Sequence, residues 1–478
     1  MNLQLSSTFL FYDYETFGLH TSLDKPAQFA CIRTDMNFNI IDDPKCLYCY
    51  FADDYLPDPQ SILITGITPQ YTQKNGTNEY IFAKKIFNIF KQANTCIVGY
   101  NNIHFDDEIT RNIFYRNFFD PYEWSWKNGN SRWDVLSLLR ACYALRPNGI
   151  KWPKNNLGLV SFKLSDITKI NQISHLNVHD AMSDVYATIS VLKLIKEKQP
   201  KLFNFFFMNR RKHQLYKFIN LKKFKPIIYV SNYFGVIRYN VSCILPIIWH
   251  KNNNILICID LFKDVKKLVS LCEKISFDDS FIKKLFHLGI VFLYFNRCPM
   301  VAPIKSIRIQ DCFRLNFNLA LFHNKINFLR KNTNIINNIK MIFFRERNFT
   351  MSSNVDLQIY SSFFDFHDRK IMQTIRNTSP NLLNSNNYNF HDIRLKMLFF
   401  RYRARNFLET LDNSEKKKWL QYCLSNLNPT FLNEYIMKIK ELIKQNFLNK
   451  EHIILLNNLL DFSIEKYKKL FYQYFNLS

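Results

Sequence analysis

A short apolar run ends in two carboxylates placed one residue apart, within the sequence FLFYDYETFG of residues 9–18. The apolar residues predict a buried strand over 8–12, with Asp13 and Glu15 at its end. Because alternate residues of a strand point to the same face, both carboxylates face one side while Tyr14 packs on the other. Two carboxylates at the end of a core strand repel each other unless a cation lies between them. Asp13 and Glu15 therefore favour a fold in which a negatively charged site lies at the edge of a sheet.

The first two hundred residues contain both strand-like and helix-like patterns. Short apolar runs predict strands over 8–12, 28–35, 46–52 and 95–101, the first two forming a hairpin. Apolar residues at helical spacing predict helices over 78–93, 106–118, 131–145 and 178–199. Strands followed by helices interleaved with a further strand are typical of an α/β fold. We therefore predict an α/β domain over residues 1–198.

The pattern changes near Pro200. Short β-rich runs separated by Asn and Gly predict a second, β-rich domain over 199–350. From 351 to 478 the apolar spacing is mostly helical, which predicts a third, helical domain. A chain of 478 residues exceeds a single ordinary core, so several domains are expected.

The positive charge lies in the second and third predicted domains. Residues 1–200 hold 20 Lys/Arg and 20 Asp/Glu, so 44 of the 64 Lys/Arg and 19 of the 39 Asp/Glu lie in 201–478. Replacement of Arg by Lys on a solvated surface conserves charge and does not produce this excess. A basic region of this size indicates a polyanionic partner, and nucleic acid is the first candidate.

The eleven cysteines are scattered along the chain. Cys46 and Cys49 form the single CxxC of the sequence; no second pair follows at zinc-site spacing, and the motif lies in a strand-like run. Odd-numbered, scattered cysteines without a signal peptide indicate a reducing cytoplasm. No apolar run reaches the roughly 20 residues of a membrane-spanning helix, so we expect no membrane association.

Three further residues of the first domain stand where a strand ends or a helix begins, namely Asp106, His179 and Asp184. Carboxylates at strand ends of an open α/β sheet converge on the crevice where ligands bind. Their oxygens select hard ions, so Asp13, Glu15, Asp106 and Asp184 are predicted to hold two Mg²⁺ or Mn²⁺ ions. Such a pair suits in-line hydrolysis at phosphorus, with His179 as the general base.

Each of these motifs has another interpretation when taken alone. An Asp-x-Glu pair is common, residues 106–108 could cap a helix N-terminus, and residues 179–184 could belong to a surface helix. The motifs occur in order within one predicted domain, which favours a catalytic set.

The five residues match the three motifs of the DEDDh exonuclease superfamily, whose fold resembles that of ribonuclease H. The chain closely resembles the bacterial exonuclease I family over longer segments, among them DYETFG, GYNNIHFDDEITRNIFYRNFFDPYEWSW and HDAMSDVYATI. The likeness continues into the basic part with NVDLQIYSSFF and LFFRYRARNF, and therefore covers essentially the whole chain.

This resemblance implies an α/β ribonuclease H-like exonuclease domain, followed by an SH3-like β-barrel domain and a helical C-terminal domain. It implies a Mg²⁺-dependent, single-strand-specific 3′→5′ exodeoxyribonuclease that releases 5′-mononucleotides and acts in DNA repair and recombination. It also implies binding of the acidic C-terminal tail of single-strand DNA-binding protein. We expect the chain to be a monomer.

By position in the family, the resemblance assigns contacts with DNA to Glu15, Thr16, Thr65, Arg111, Tyr122, Trp126, Arg140, Arg146 and Lys163. Lys163 replaces the arginine that is usual at its position, which keeps the charge but loses the bidentate grip on phosphate. Arg146 and Arg314 also match positions that hold the partner's tail, although the segment NTNIINNIK lacks another basic residue expected there.

Binding of single strands without sequence preference requires a basic groove and aromatic stacking platforms. Tyr122, Trp124 and Trp126 are predicted to supply the stacking, and the segments 233–240 and 401–405 are candidates for phosphate contacts. For 401–405, RYRAR, the alternative is a buried helix that forms ion pairs with the first domain.

Two other functions are alternatives to a 3′→5′ exodeoxyribonuclease. A proofreading subunit or an RNase of the same superfamily would be shorter or carry different appendages. A DNA-binding module that has lost catalysis would have lost some of the five catalytic residues, and all five are present.

Overall fold

The computed structural model describes residues 7–345, 352–383 and 388–476, and its N-terminal part folds around a mixed five-stranded sheet. The strands are β1 (Thr8–Thr16), β2 (Pro26–Thr34), β3 (Lys45–Tyr48), β4 (Thr95–Gly99) and β5 (Ser131–Asp134). They lie in the order β3-β2-β1-β4-β5. β1 pairs antiparallel with β2 and parallel with β4, so the predicted hairpin is confirmed.

Helices surround this sheet. They are α1 (Pro59–Thr65), α2 (Pro69–Asn75), α3 (Glu79–Phe90), α4 (Asp106–Arg116), α5 (Val135–Leu145), α6 (Leu164–Ile170) and α7 (Ala181–Lys198). The short helices α1 and α2 were not predicted. Each begins with a proline preceded by a capping side chain, Asp58 for α1 and Thr68 for α2, which is a recognisable start signal.

The segment 131–145, predicted as one helix, is a strand followed by a helix. β5 pairs parallel with β4, from Cys96 opposite Ser131 to Gly99 opposite Asp134. Asp134 then caps α5, because its carboxylate accepts the Leu136 N–H at 3.0 Å. The prediction was wrong because periodicity cannot separate a four-residue buried strand from the start of a buried helix.

The two faces of β1 pack against different layers. Phe11 lies in the core shared with α7, whereas Tyr12 and Tyr14 lie in the core shared with α3 and α4. Since the alternation continues to the end of the strand, Asp13 and Glu15 fall on the α7 side. The predicted separation of the carboxylates from Tyr14 is confirmed.

The middle part of the chain contains a second five-stranded sheet, with order β10-β6-β7-β8-β9. Its strands are β6 (Ile227–Val230), β7 (Val241–Trp249), β8 (Ile255–Asp260), β9 (Ile290–Tyr294) and β10 (Met300–Pro303). The helices of this part are α8 (Pro200–Met208), α9 (Lys212–Leu215), α10 (Val265–Cys272), α11 (Asp279–His287), α12 (Ile309–Arg314), α13 (Leu319–Lys331) and α14 (Asn334–Phe343). The region is thus richer in helix than predicted.

The C-terminal part is helical, as predicted. Its helices are α15 (Phe366–Asn377), α16 (Arg394–Asn406), α17 (Asn413–Asn426), α18 (Pro429–Gln445) and α19 (Lys450–Asn476). The predicted boundary between residues 350 and 351 lies outside the described residues. Within the described ranges, none of the helices has the length and apolarity needed to cross a membrane.

The arginines of RYRAR lie in the interior of the protein, and their assignment to DNA phosphates was wrong. The Arg401 guanidinium lies 3.0 Å from Asp356, and that of Arg405 lies 2.8 Å from Asp54 of the first domain. Both side chains of the Arg405–Asp54 pair are less than a tenth exposed. The alternative, a buried helix with ion pairs to the first domain, is therefore correct.

Removal of one member of this buried network should destabilise the protein strongly. We expect Arg405→Ala to lower the free energy of unfolding by about 3–5 kcal/mol, because Asp54 and Asp356 would remain buried without their partner. Lys438→Ala is the matched control, since Lys438 also pairs with the first domain, at Asp58, but is half exposed. Chemical denaturation should show a loss of less than about 1 kcal/mol for the control. Equal losses would contradict this account.

Candidate active site

The end of β1 and the start of α7 bring predicted catalytic residues together. Ligand atoms of Glu15, His179 and Asp184 lie within 4.8 Å of one another. His179 precedes α7 and adopts a positive φ of 67°, an uncommon backbone conformation for a residue with a side chain. Asp180 caps the helix by accepting the Ser183 N–H at 3.0 Å. The backbone turn at His179 thus places its ring beside Asp184 on the first turn of α7.

Asp106 reaches the same edge from another element. It is the first residue of α4, is 4% exposed, and accepts the Tyr14 N–H of β1 at 3.1 Å. Its neighbour Asp107 is engaged differently: it accepts the Tyr12 hydroxyl at 2.5 Å and pairs with Arg132. Asp106 is therefore the member of this acidic pair that belongs to the site.

The carboxylates of this edge disfavour one another's ionisation. Loss of hydration raises the pKa of Asp13 well above its usual range, and Asp106, Glu15 and Asp184 raise it further. For the same reasons, burial first and the neighbouring carboxylates second, the pKa of Glu15 is raised to about 9. Burial raises the pKa of Asp106 to about 7 against the opposing effect of the Tyr14 N–H. The four carboxylates consequently lie close enough to repel one another.

Divalent cations would relieve this repulsion. The atoms grouped within 4.8 Å of one another are a carboxylate oxygen from each of Glu15 and Asp184 and an imidazole nitrogen of His179. Asp13 and Asp106 are not in that group, but, in addition to burial, Asp106 raises the pKa of both Asp13 and Glu15. Clustered carboxylate oxygens suit hard ions such as Mg²⁺ or Mn²⁺. The residues present therefore fit the predicted metal site.

Two residues that sequence reasoning missed hold this region in place. His175 Nε2 lies 2.5 Å from Asp184 Oδ1. Gln28 of β2 donates to Asp180 Oδ2 at 2.9 Å and accepts the Ala181 N–H at 3.1 Å, which ties the start of α7 to the sheet. The signal for His175 was its position four residues before His179. Gln28 gave no signal, since a single Gln within a buried strand is not distinctive.

The predicted stacking residues differ in exposure. Trp126 is 62% exposed, whereas Trp124 is 3% exposed and its ring stacks on Phe90 in the core. Trp124 is therefore no platform for DNA bases, and that assignment was wrong. Tyr122 is half-buried, and the Arg111 guanidinium lies over its ring at 5.8 Å from the centroid.

The other predicted DNA contacts occupy several elements around the first domain. Thr16 Oγ1 donates to the Gly18 carbonyl at 2.7 Å, and Thr65 Oγ1 donates to the Ser61 carbonyl at 2.9 Å. Lys163 is exposed at the start of α6.

Arg140 and the segment 233–240 complete this set of predicted contacts. The Arg140 guanidinium lies 5.9 Å from the centre of the Phe162 ring. Arg238, the arginine of the segment 233–240, is paired with Asp260 at 2.8 Å.

Arg146 and Arg314 belong to one cluster of arginines at α12. Together with Arg308 they surround Asp311, at 3.9 Å, 3.1 Å and 2.6 Å respectively. Asp311 is 4% exposed, while each of the three arginine side chains is at least a quarter exposed. Three guanidinium groups around one carboxylate leave two positive charges in excess. Sequence reasoning missed Arg308.

Comparison with known proteins matches each part of the chain to a family. The Exonuclease family matches residues 10–192, the Exonuclease I SH3-like domain matches 210–345, and the Exonuclease I C-terminal domain matches 353–466. These three matches confirm the predicted succession of an α/β exonuclease domain, an SH3-like domain and a C-terminal domain.

Relatives with this arrangement are similar over nearly their full length. The chain is 59% identical to exodeoxyribonuclease I of Buchnera aphidicola subsp. Schizaphis graminum, over 98% of each chain. It is 46% identical to exodeoxyribonuclease I of Escherichia coli, over 96% of this chain and 98% of the relative.

Solved structures of the Escherichia coli protein superpose closely. Exonuclease I in complex with a dA16 oligonucleotide has a TM-score of 0.92 at 45% identity, and covers 96% of this chain and 100% of its own. A complex of SSB and exonuclease I with an inhibitor, at 44% identity, and a zinc-bound complex with single-stranded DNA, at 45%, each have a TM-score of 0.91. Each covers 96% of this chain, and they cover 100% and 99% of their own chains. The chain therefore belongs to the exodeoxyribonuclease I family of exonucleases.

Proposed function

We propose that this chain hydrolyses single-stranded DNA from its 3′ end, releases 5′-mononucleotides, and uses two divalent ions held by Asp13, Glu15, Asp106 and Asp184. The observation that carries the proposal is the convergence of these carboxylates, with raised pKa values, at the end of β1. In a cluster of acidic residues that only stabilises the fold, each carboxylate would be expected to pair with a basic side chain. Here the acids are arranged chiefly around one another, which is the arrangement expected of a cation site.

Mg²⁺ is the ion that we propose, with Mn²⁺ as a substitute, because the ligands are mostly carboxylate oxygens. A pair of such ions lowers the pKa of an attacking water and stabilises the leaving oxygen of an in-line displacement. The zinc-bound form of the Escherichia coli relative supports a divalent ion in this family. In this chain the four carboxylates supply the negative charge that binds the ions. The elements β1, α4 and α7 fix the directions of the four side chains.

His179 is the proposed general base. Its ring is exposed beside Glu15 and Asp184, so it is accessible to a water at the scissile phosphate. A neutral imidazole nitrogen accepts the proton of that water as the phosphodiester bond is broken. The uncommon backbone conformation of His179 is explained by this placement of the ring.

The basic second and third parts are proposed to guide the strand and to bind a partner. Exposed Trp126 and half-buried Tyr122 supply stacking on the first domain, whereas Arg111 is ion-paired with Glu108 and its side chain is 13% exposed. The complex of the Escherichia coli relative with SSB supports single-strand DNA-binding protein as a partner. We place its acidic tail at the arginines around Asp311, where positive charge is in excess. We further propose a monomer that acts in DNA repair and recombination.

All eleven cysteines are free thiols, which favours a reducing compartment such as the cytoplasm.

The proposed activity is tested with end-labelled oligonucleotides and Mg²⁺. We expect a 3′ label on single-stranded DNA to appear at once as a mononucleotide, and a 5′ label to remain on progressively shorter fragments. Duplex DNA and a matched RNA should be degraded far more slowly. Asp184→Asn should abolish release while binding of the same oligonucleotide persists. Turnover by Asp184→Asn, or preference for RNA, would contradict the proposal.

The role of His179 is tested by His179→Ala in the same assay under single-turnover conditions. We expect the rate of cleavage to fall roughly 10²- to 10⁴-fold, the usual contribution of a positioned general base. His20→Ala is the control, because His20 is an exposed histidine in the β1–β2 turn whose backbone and ring bind only that turn. An unchanged rate for His179→Ala would assign the proton transfer to another group.

A further inference from the structure

His175 lies in the connection between α6 and α7, outside the set of residues discussed as catalytic. Its neighbour Leu176 is 89% exposed, whereas the His175 side chain is only 3% exposed. The ring lies between Thr168 of α6, whose Oγ1 is 3.2 Å from Nδ1, and Asp184 of α7, whose Oδ1 is 2.5 Å from Nε2. A buried ring in an otherwise exposed connection indicates a specific role.

The chemistry of a carboxylate fixes the direction of the hydrogen bond between His175 and Asp184. An ionised carboxylate only accepts, so Nε2 of His175 carries the proton that is donated to Asp184. Thr168 Oγ1 lies 3.2 Å from Nδ1 but also 3.0 Å from the Leu164 and Ser165 carbonyls, so it contacts the other side of the ring without fixing which nitrogen is protonated. The Thr168–His175–Asp184 chain therefore occupies one oxygen of the carboxylate, Oδ1, and leaves the other, Oδ2, for a different partner.

We propose that His175 is a positioning residue that orients Asp184 for metal binding. This inference rests on the proposed function, in which Asp184 is a metal ligand. Ligating carboxylates are commonly held by hydrogen bonds from surrounding residues, and loss of such a bond weakens metal affinity. Here the hydrogen bond at Oδ1 fixes the rotation of the Asp184 side chain, whose carboxylate lies in the same group of ligand atoms as Glu15. His175 and His179 thus have separate roles on either side of Asp184.

Binding of Mn²⁺ tests this role without relying on catalysis. The electron paramagnetic resonance signal of free Mn²⁺ is measured while the full-length protein is titrated. We expect His175→Ala to weaken Mn²⁺ binding about 10- to 100-fold. His175→Gln, whose amide nitrogen is able to donate to Asp184, should recover most of the affinity. Thr168→Val should weaken binding to a smaller extent, because the ring keeps its bond to Asp184 and loses only the contact of Nδ1 with the Thr168 hydroxyl.

Two further variants separate this inference from the proposed function. His250→Ala is the matched control, since His250 is a half-buried histidine whose ring bonds to the Phe343 carbonyl in the second domain. Its Mn²⁺ affinity should equal that of the wild type. Asp184→Asn tests the metal site itself, and wild-type affinity in that variant would overturn the proposed function.

One result would contradict the role of His175 and leave the proposed function intact: Asp184→Asn loses Mn²⁺ binding, while His175→Ala and His175→Gln both bind Mn²⁺ like the wild type. The role is also contradicted if Ala and Gln at this position weaken binding equally although both variants melt cooperatively.

Discussion

Electrostatic repulsion among Asp13, Glu15, Asp106 and Asp184 explains most features of the first domain. The four residues come from β1, α4 and α7, which are fixed by their buried residues and, at the start of α7, by the Asp180 cap. The acids therefore cannot move apart without disturbing the core on either side of β1. The fold holds together groups that would separate if they were free, and a divalent cation among them would relieve that repulsion.

The rest of the chain supports this arrangement in two ways. Gln28 and His175 fix the start of α7 and the direction of Asp184, so that hydrogen bonds from outside the acidic cluster hold the site. The buried arginines of α16 attach the C-terminal helices to the first domain. Because those arginines are paired with acids, the positive charge available to DNA comes from other, exposed residues of the basic parts.

The sequence predicted the features that follow from local periodicity. Alternation along β1 correctly separated Asp13 and Glu15 from Tyr14, and the β1–β2 hairpin was predicted from its turn. The strand β5 was missed because a short buried strand has no period of its own. Trp124 was assigned to the surface because aromatic residues close in sequence do not reveal which of them packs inward.

The burial and the partners of charged residues were the hardest features to predict from the sequence. The sequence RYRAR has the composition of a phosphate-binding segment, and only the positions of Asp54 and Asp356 show that its arginines are buried. His175 was missed for a similar reason, since its partner is set by the path of the connection between α6 and α7. In both cases the partner of the side chain lies on another element of the fold, and a single sequence does not show which elements come together.

Thermal unfolding of Asp13→Asn with EDTA and with Mg²⁺ measures whether the four carboxylates destabilise the fold when no cation is bound. A carboxyl whose pKa is raised on folding contributes stability at low pH and loses it as the pH rises through the folded value. Burial, with the neighbouring carboxylates, raises the pKa of Glu15 to about 9, and burial raises the pKa of Asp106 to about 7. In EDTA at about pH 9, where Asp106 is ionised and Glu15 is about half ionised, Asp13→Asn should therefore melt above the wild type.

With Mg²⁺ the order should reverse, because the variant has lost a ligand and gains less from the ion. At about pH 6 in EDTA the difference should be smaller, since part of the cluster is then protonated. A variant that melts below the wild type in EDTA at both pH values would contradict the account, because Asp13 would then stabilise the fold without any cation.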